Sequence, residues 1–340
     1  MKKMKVLLYA EGLKAIGKSG LGKAIEHQKK ALEKMGIEYT TDPKAEDYDI
    51  AHINTYFLKS YLLAKRLKQE GVKIVYHAHS TQEDWVDGFA LGYQTRNFFK
   101  SWIVRCYRLG DIIVTPTPYA KRLLESYEGL EDKKIVAISN GLELDFFKPD
   151  PKYRATFRKR YHYSATDKVI VGIGLYIRRK GIVDFVELAK RLKEYKFIWF
   201  GYSPLSAATQ DVKDAVNTKL DNLYFAGYVE QEYIREALGG CDLYLFPTLE
   251  ETEGIPIIEA CAMKCDAIIR DIPIFEGWLE DGVNVYKAKD VDEFEQKIKD
   301  FFAGKLPSVA DKAVEVAKER DITHVGEQLK AVYEELLNDK

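Results

Sequence analysis

The sequence predicts an α/β protein built from two Rossmann-like domains in series, each a parallel sheet covered by helices. Three observations point there. The 340 residues exceed what one hydrophobic core comfortably organises. Short β-rich runs alternate with helical stretches up to Asn140, and the same rhythm restarts at Val169. Between them lie the turn signal Asn140-Gly141 and a polar linker with a connecting helix from Pro149 to Asp167. The expected domains are residues 1–148 and 149–320, followed by an amphipathic helix in the tail, 321–340.

Composition describes an ordinary soluble chain, 46% apolar and 31% charged. The formal charge of −1 is unevenly spread, with +4 over residues 1–150 and −5 over 151–340. A front half so mildly basic suits an anionic surface or substrate and is too weak to argue for nucleic acid. The apolar run at the start breaks at Glu11, too early for a signal peptide, and no run approaches the ~20 residues of a membrane span. Cys106, Cys241, Cys261 and Cys265 show no CxxC pair or zinc spacing; Cys261 and Cys265 read as small core residues, and the expected compartment is the reducing cytoplasm.

In chain order, Lys5–Glu11 reads as a first buried strand. Gly12 to Ser19 then fits the P-loop pattern G-x-x-x-x-G-K-[ST]. A P-loop NTPase also needs a strand ending in Asp to reach Mg²⁺, but the later strands run out at Asn54, His79, Pro116 and Asn140. The preferred reading is a glycine-rich loop, Lys18-Ser19-Gly20-Leu21-Gly22, followed by a helix from Lys23 to Met35 that stops at Gly36. Strands follow at Glu38–Thr41, Ile50–Asn54 and Lys73–Ser80, with a basic helix around Leu62–Gln69 between the last two. Alternation places His77 and His79 on one face, His79 at the C-terminal edge where ligands of parallel sheets gather.

Tyr93–Gly110 holds four cations (Arg96, Lys100, Arg105, Arg108) and no acid. At 100° per residue, Phe98, Phe99, Trp102, Ile103, Cys106 and Leu109 share the face opposite them. Such a helix packs its apolar side on a sheet and can lay its cations on anionic headgroups. Strands at Asp111–Thr117 and Lys134–Asn140 complete the first domain.

The second domain brings strands at Val169–Gly174, Phe197–Gly201, Leu223–Ala226, Leu243–Phe246 and Ala267–Ile269. After Phe246 comes a loop holding Glu250, Glu251, Glu253 and Gly254, then Pro256 in the first turn of a helix that carries Glu259. A strand, a glycine turn and a helix N-terminus collect backbone amides around an anion, yet carboxylates repel a bare phosphate. A ligand with a phosphate at one end and sugar hydroxyls at the other, a nucleotide-sugar, reconciles the two.

Glu251-x7-Glu259, with Gly254 and Pro256 between, resembles the E-G-x-G-x-P-x-x-E block of the retaining GT-B glycosyltransferases of family 4, although Thr252 and Glu253 stand where that family often has Gly and Phe. Gly172-Ile-Gly174-Leu-Tyr-Ile-Arg178-Arg179-Lys180-Gly181 is similar to the family's V-G-R-L-x-x-x-K-G, and Asn140-Gly141 through Pro149 to its interdomain exit. The resemblance implies a GT-B fold with the site in the interdomain cleft and the last helix packed back on the first domain. It implies that Lys180 holds the donor diphosphate, that Glu259 takes the ribose hydroxyls and that Glu251 faces the sugar. The amides at Gly254 and Ile255, and at Gly20 and Leu21, would line the donor phosphates, and His79, with His77 second, would stand by the reacting sugar and acceptor. Leu175 occupies the usual arginine position, so Arg178 or Arg179 must supply that cation. No metal or other cofactor is expected.

The short chain, KSGLGKAIEHQ, YHAHSTQEDW and GLYIRRKG together are similar to bacterial enzymes that add a second hexose to a monoglycosyl-diacylglycerol. That implies UDP-glucose or UDP-galactose as donor, a glycolipid acceptor, and peripheral work on the anionic inner face of the cell membrane through Arg96, Lys100, Trp102, Arg105 and Arg108. A cytoplasmic transferase for capsular or cell-wall polysaccharide is the nearest rival, and a P-loop NTPase the rival of another class.

Overall fold

The computed structural model describes residues 4–338 except 14–16, 18 and 87–91. In chain order the first elements are β1 (Lys5–Tyr9), α1 (Gly20–Lys34), β2 (Glu38–Thr40), β3 (Ile50–Ile53), α2 (Leu58–Gln69), β4 (Lys73–His77) and α3 (Gln82–Val86). Then come α4 (Gly92–Tyr107), β5 (Ile112–Thr115), α5 (Pro118–Glu125), β6 (Lys134–Ala137) and α6 (Lys152–Arg160). The later elements are β7 (Val169–Ile173), α7 (Ile182–Arg191), β8 (Lys196–Phe200), α8 (Gln210–Asn217), β9 (Leu223–Gly227), α9 (Gln231–Gly240) and β10 (Leu243–Phe246). The chain closes with α10 (Ile255–Ala262), β11 (Ala267–Arg270), β12 (Tyr286–Ala288), α11 (Val291–Phe302), α12 (Ala310–Lys318) and α13 (Ile322–Asn338).

The strands form two six-stranded sheets among the described residues, ordered β2-β1-β3-β4-β5-β6 and β12-β11-β10-β7-β8-β9, with parallel pairing throughout. Strands such as IAHI and IIVT are buried along their whole length, because helices cover both faces of a parallel sheet. In the first sheet the order reverses between β1 and β3, and in the second between β7 and β10. A crevice opens beyond the C-terminal ends of strands at such a reversal.

Two compact units divide the chain. One comprises Met1–Trp85, Gln94–Glu143 and Arg320–Lys340; the other comprises Val86–Tyr93 and Leu144–Glu319. The division after Glu143 falls a few residues ahead of the expected 148/149. In the first unit α13 lies against α1, with the backbone of Ala31 so near Gly326 that a Cβ there would meet it at 2.8 Å. Leu142 and Asp321 form an isolated parallel bridge beside that helix.

Strand ends are shorter than the sequence suggested. The expected strand to Ser80 closes at His77, although the Ala78 amide still bonds the Val114 carbonyl at 2.7 Å. The sixth strand of the second sheet, β12, went unrecognised: it has only three residues, and Lys287 in its middle breaks the apolar run.

Candidate functional site

The second unit assembles its polar groups at the β7/β10 reversal. After β7 the chain makes a 3-10 turn, Arg178–Lys180, and Gly181 follows at φ 73°. A Cβ on Gly181 would lie 2.0 Å from the Pro247 carbonyl oxygen, so only glycine lets this turn touch the loop leaving β10. Hydrogen bonds join the two loops. The Leu249 amide donates to the Arg179 carbonyl at 2.7 Å, Arg179 Nη1 to the Glu250 carbonyl at 2.9 Å, and the enclosed Thr248 hydroxyl to the Arg179 carbonyl at 3.0 Å.

Glu251 sits where these loops meet, 6% exposed at its side chain. Lys180 Nζ donates to its Oε1, Arg179 Nη1 lies 3.5 Å from Oε2, and the Thr248 hydroxyl is 3.1 Å from Oε1. Burial pushes the Glu251 pKa up, but Lys180 and Arg179 outweigh it and hold the carboxyl below its ordinary value. The two arginines diverge. Arg179, 18% exposed, faces Glu251, whereas Arg178, 59% exposed, reaches out to Asp211 at 3.4 Å.

Gly254 caps α10 at φ 94° with no side-chain cap hydrogen bond, and both Gly254 and Ile255 are buried. Glu259 belongs to this helix but is completely enclosed. Nearly all of α10 is buried with it, Ile255 and Ile257 through Ala262 included. After burial, Glu259 and then Glu251 raise the pKa of the buried Tyr244 hydroxyl, which puts both acids within electrostatic reach of that one group.

The first unit holds the histidines at its own sheet edge. His79, half-buried, stacks on His77 with ring centroids 3.9 Å apart, and its Nε2 is 2.9 Å from Asn54 Oδ1. His77 lies deeper than His79, 2% exposed. Tyr333 donates its hydroxyl to His52 Nδ1 (2.6 Å), and His52 Nε2 (3.1 Å) and Gln28 Nε2 (2.8 Å) both approach His77 Nδ1. With both of them donating to Nδ1, His77 carries its proton on Nε2, a buried atom that has no hydrogen-bond partner among the described residues. Burial pulls the pKa of His52 and of His79 down to about 3, and that of His77 well below the usual range. Gly20 and Leu21 open α1, where the Ser19 hydroxyl accepts from the Gly22 amide at 3.4 Å; Lys18 lies outside the described residues.

Helix α4 packs on the expected face except at Phe98, with Trp102 and Leu109 partly buried against the core. Its buried stripe runs through Phe99, Ile103, Cys106 and Tyr107, so Phe98 is 77% exposed. Trp102 donates its indole N–H to the Tyr56 carbonyl at 2.7 Å. Among the cations, Lys100 stands 4.2 Å from the centre of the Tyr127 ring, and Arg108 Nη1 donates to the Gly129 carbonyl and lies 3.4 Å from Asp132. The adjoining α2 exposes Leu58 and Leu62, and the Tyr61 and Trp102 rings meet at 5.3 Å between the two helices. No helix among the described residues is long and apolar enough to cross a membrane. No cluster of His, Cys, Asp or Glu among them is arranged to hold a metal.

Thr248, His52, Asn54 and Gln28 were not singled out from sequence. His52 carried a signal, since a histidine inside the apolar strand IAHI must find a buried partner.

The chain matches two family descriptions, Glycosyl transferases group 1 over residues 154–320 and Glycosyltransferase Family 4 over 43–146. It is 36% identical to a processive diacylglycerol alpha-glucosyltransferase of Acholeplasma laidlawii, over 99% of this chain and 100% of that one. It is 25% identical to an alpha-galactosylglucosyldiacylglycerol synthase of Streptococcus pneumoniae, over 82% of this chain and 75% of that one. Among solved structures it is similar to sucrose-phosphate synthase of Thermosynechococcus elongatus, with TM-score 0.80 and 15% identity over 99% and 100% of the two chains. It is also similar to Anabaena HepE in complex with UDP-glucose, with TM-score 0.78 and 17% identity over 98% and 100%. At such identities the structural likeness speaks to the fold, and that fold is GT-B.

Proposed function

Because the chain belongs to the family 4 (group 1) glycosyltransferases, we propose that it moves a glucose or galactose from a UDP-sugar onto a monoglycosyl-diacylglycerol, keeping the α-configuration, at a membrane surface. The observation that carries the acceptor is the end-to-end match, at 36% identity, to a relative whose name specifies a diacylglycerol acceptor. The relative in Streptococcus, named for a galactosylglucosyldiacylglycerol, keeps both hexoses open as donors.

The residues divide the work as follows. Lys180 and Arg179 stabilise the charge that grows on the leaving diphosphate, which is usually the largest electrostatic contribution to such a transfer. The turn amides at Gly254 and Ile255 add dipoles directed at the same phosphates, and the Gly20–Leu21 turn offers amides from the first unit. Glu251 accepts hydrogen bonds from the sugar. Glu259, enclosed in α10, serves the ribose hydroxyls. His79 stands by the reacting sugar and acceptor, held by Asn54 and the His77 ring. No carboxylate pair is disposed as nucleophile and acid in the glycosidase manner, so the leaving phosphate takes the acceptor's proton on the same face. Two cations and a set of amides do for the diphosphate what a divalent metal would, and no resident cofactor is invoked.

The acceptor is reached from the membrane. Leu58, Leu62 and Phe98 form an apolar rim on α2 and α4, with Lys59 and Arg105 exposed among them. Apolar tips among cations suit peripheral binding to an anionic leaflet on the cytoplasmic side. Incubation with UDP-glucose or UDP-galactose and liposomes containing monoglucosyl-diacylglycerol tests the reading, with lipid products followed by mass spectrometry. A lipid heavier by one hexose, formed together with UDP, is expected. Transfer to a polyprenyl-linked or free saccharide with none to the lipid would support the polysaccharide reading, and ATP hydrolysis without sugar transfer the NTPase.

A further inference from the structure

Glu251 occupies the same cations that a donor diphosphate needs. Its carboxylate sits between Lys180 Nζ and Arg179 Nη1, with both side chains less than one-fifth exposed and the Thr248 hydroxyl closing the third side. Neither partner is free to swing away as a body. The Arg179 backbone is pinned to Leu249 and Thr248, its guanidinium to the Glu250 carbonyl, and the Gly181 turn rests on Pro247. A diphosphate entering here must share the two cations with a carboxylate that stays close by. In so enclosed a place salt screens poorly and like charges repel strongly.

We propose that Glu251 discriminates between UDP-hexose and UDP, favouring donor over spent nucleotide and so hastening product release. Two chemical differences supply the selection. The terminal phosphate of UDP has a second ionisation near pH ~6 and carries an extra negative charge at neutral pH. In a UDP-hexose the sugar blocks that oxygen. The hexose also brings hydroxyl donors to a carboxylate that must give up part of its hold on the cations, whereas UDP brings none. The inference rests on the reading of Lys180 and Arg179 as the diphosphate cations.

Calorimetric titration of UDP and of UDP-glucose, without acceptor, into the wild type, Glu251→Gln and Lys180→Ala separates the two ideas. In Glu251→Gln, UDP is expected to bind roughly tenfold tighter relative to UDP-glucose, the removal of one like charge at close range. In the wild type, lowering the pH from about 7.5 to about 5.5 protonates UDP and is expected to narrow the gap between the two ligands. The variant should show a smaller pH effect. A purely structural role for Glu251 would shift both ligands together and leave their ratio unchanged, which would overturn the proposal, as would weaker UDP binding by the variant with UDP-glucose unaltered. If Glu251→Gln does not fold, the wild-type pH series decides alone, since a gap independent of pH contradicts the charge argument. Failure of the donor-site reading looks different: the wild type binds neither nucleotide, or Lys180→Ala binds both as the wild type does.

Discussion

At the scale of single residues, the arginine pair is the sharpest case. Sequence put Arg178 and Arg179 side by side as equal candidates, because a motif gives spacing but no direction. In the 3-10 turn they diverge, Arg179 toward Glu251 and Arg178 toward Asp211. Alanine at Arg179 or Lys180 is therefore expected to lower kcat/KM for UDP release by roughly 10²–10³-fold, the usual effect of removing one transition-state donor. Alanine at Arg178 should change it less than about threefold, since exposed ion pairs contribute little. Equal losses at the two arginines would contradict the assignment. Glu251 and Lys180 could be read from their motifs, whereas Thr248, which binds the loops together, could not. A threonine after a strand carries no signature until the partner loop is folded against it.

The buried histidines make a second residue-scale prediction. His27 is held at about 4 and His52 at about 3, in both cases chiefly by burial, against 6.5 for a free histidine. Above pH 6.5 neither the folded nor the unfolded chain protonates them, and their contribution to stability is complete. As pH falls below that value the unfolded chain takes up protons that the folded one refuses. Stability is then lost progressively until the pH passes the folded values. Each such histidine contributes ~1.4 kcal/mol per pH unit to that slope. Urea unfolding at a series of pH values between neutrality and pH ~5 should show a shallower decline for His52→Gln than for the wild type. Parallel declines would show that His52 accepts a proton in the folded chain.

At the scale of elements, the strands were readable because helices on both faces demand continuous apolar runs, and the helices because of their period. Their ends were not. β4 closes at His77, and His79 beyond it approaches Asn54, the residue that follows the neighbouring strand β3. For α4 the period and the buried face were read correctly apart from Phe98, which is in solvent, and Tyr107, which is buried and bonded to the Ser80 carbonyl at 2.8 Å. The consequence for membranes can be measured. Because Lys100 and Arg108 are engaged within the unit, charge reversal at Arg105 should weaken sedimentation with anionic liposomes by ~1 kcal/mol or more. Leu58→Ser with Phe98→Ser should weaken it further and less salt-sensitively, as lost apolar burial does. Binding that ignores all of these changes would remove α2 and α4 from the membrane surface.

At the scale of the whole molecule, the alternation of strand and helix with one restart carried the two-sheet architecture, and the strand orders then placed the chemistry. Lys180 follows β7 and Glu251 follows β10, the two strands flanking the reversal of the second sheet. Residues 71 apart in sequence meet there because parallel connections must pass over the sheet between them. Nothing local in either motif states that meeting, which is why the pairing of Lys180 with Glu251 emerged only in three dimensions. The sugar itself and its linkage are set by contacts to ring hydroxyls that no motif here encodes.

The measurement that tests the central claim most directly is proton NMR of the lipid product formed from UDP-glucose or UDP-galactose and monoglucosyl-diacylglycerol. A second hexose joined through an α-glycosidic bond, formed by the wild type and lost in Lys180→Ala, is the predicted result. A β-linked product, or UDP released with no sugar on the lipid, would contradict it.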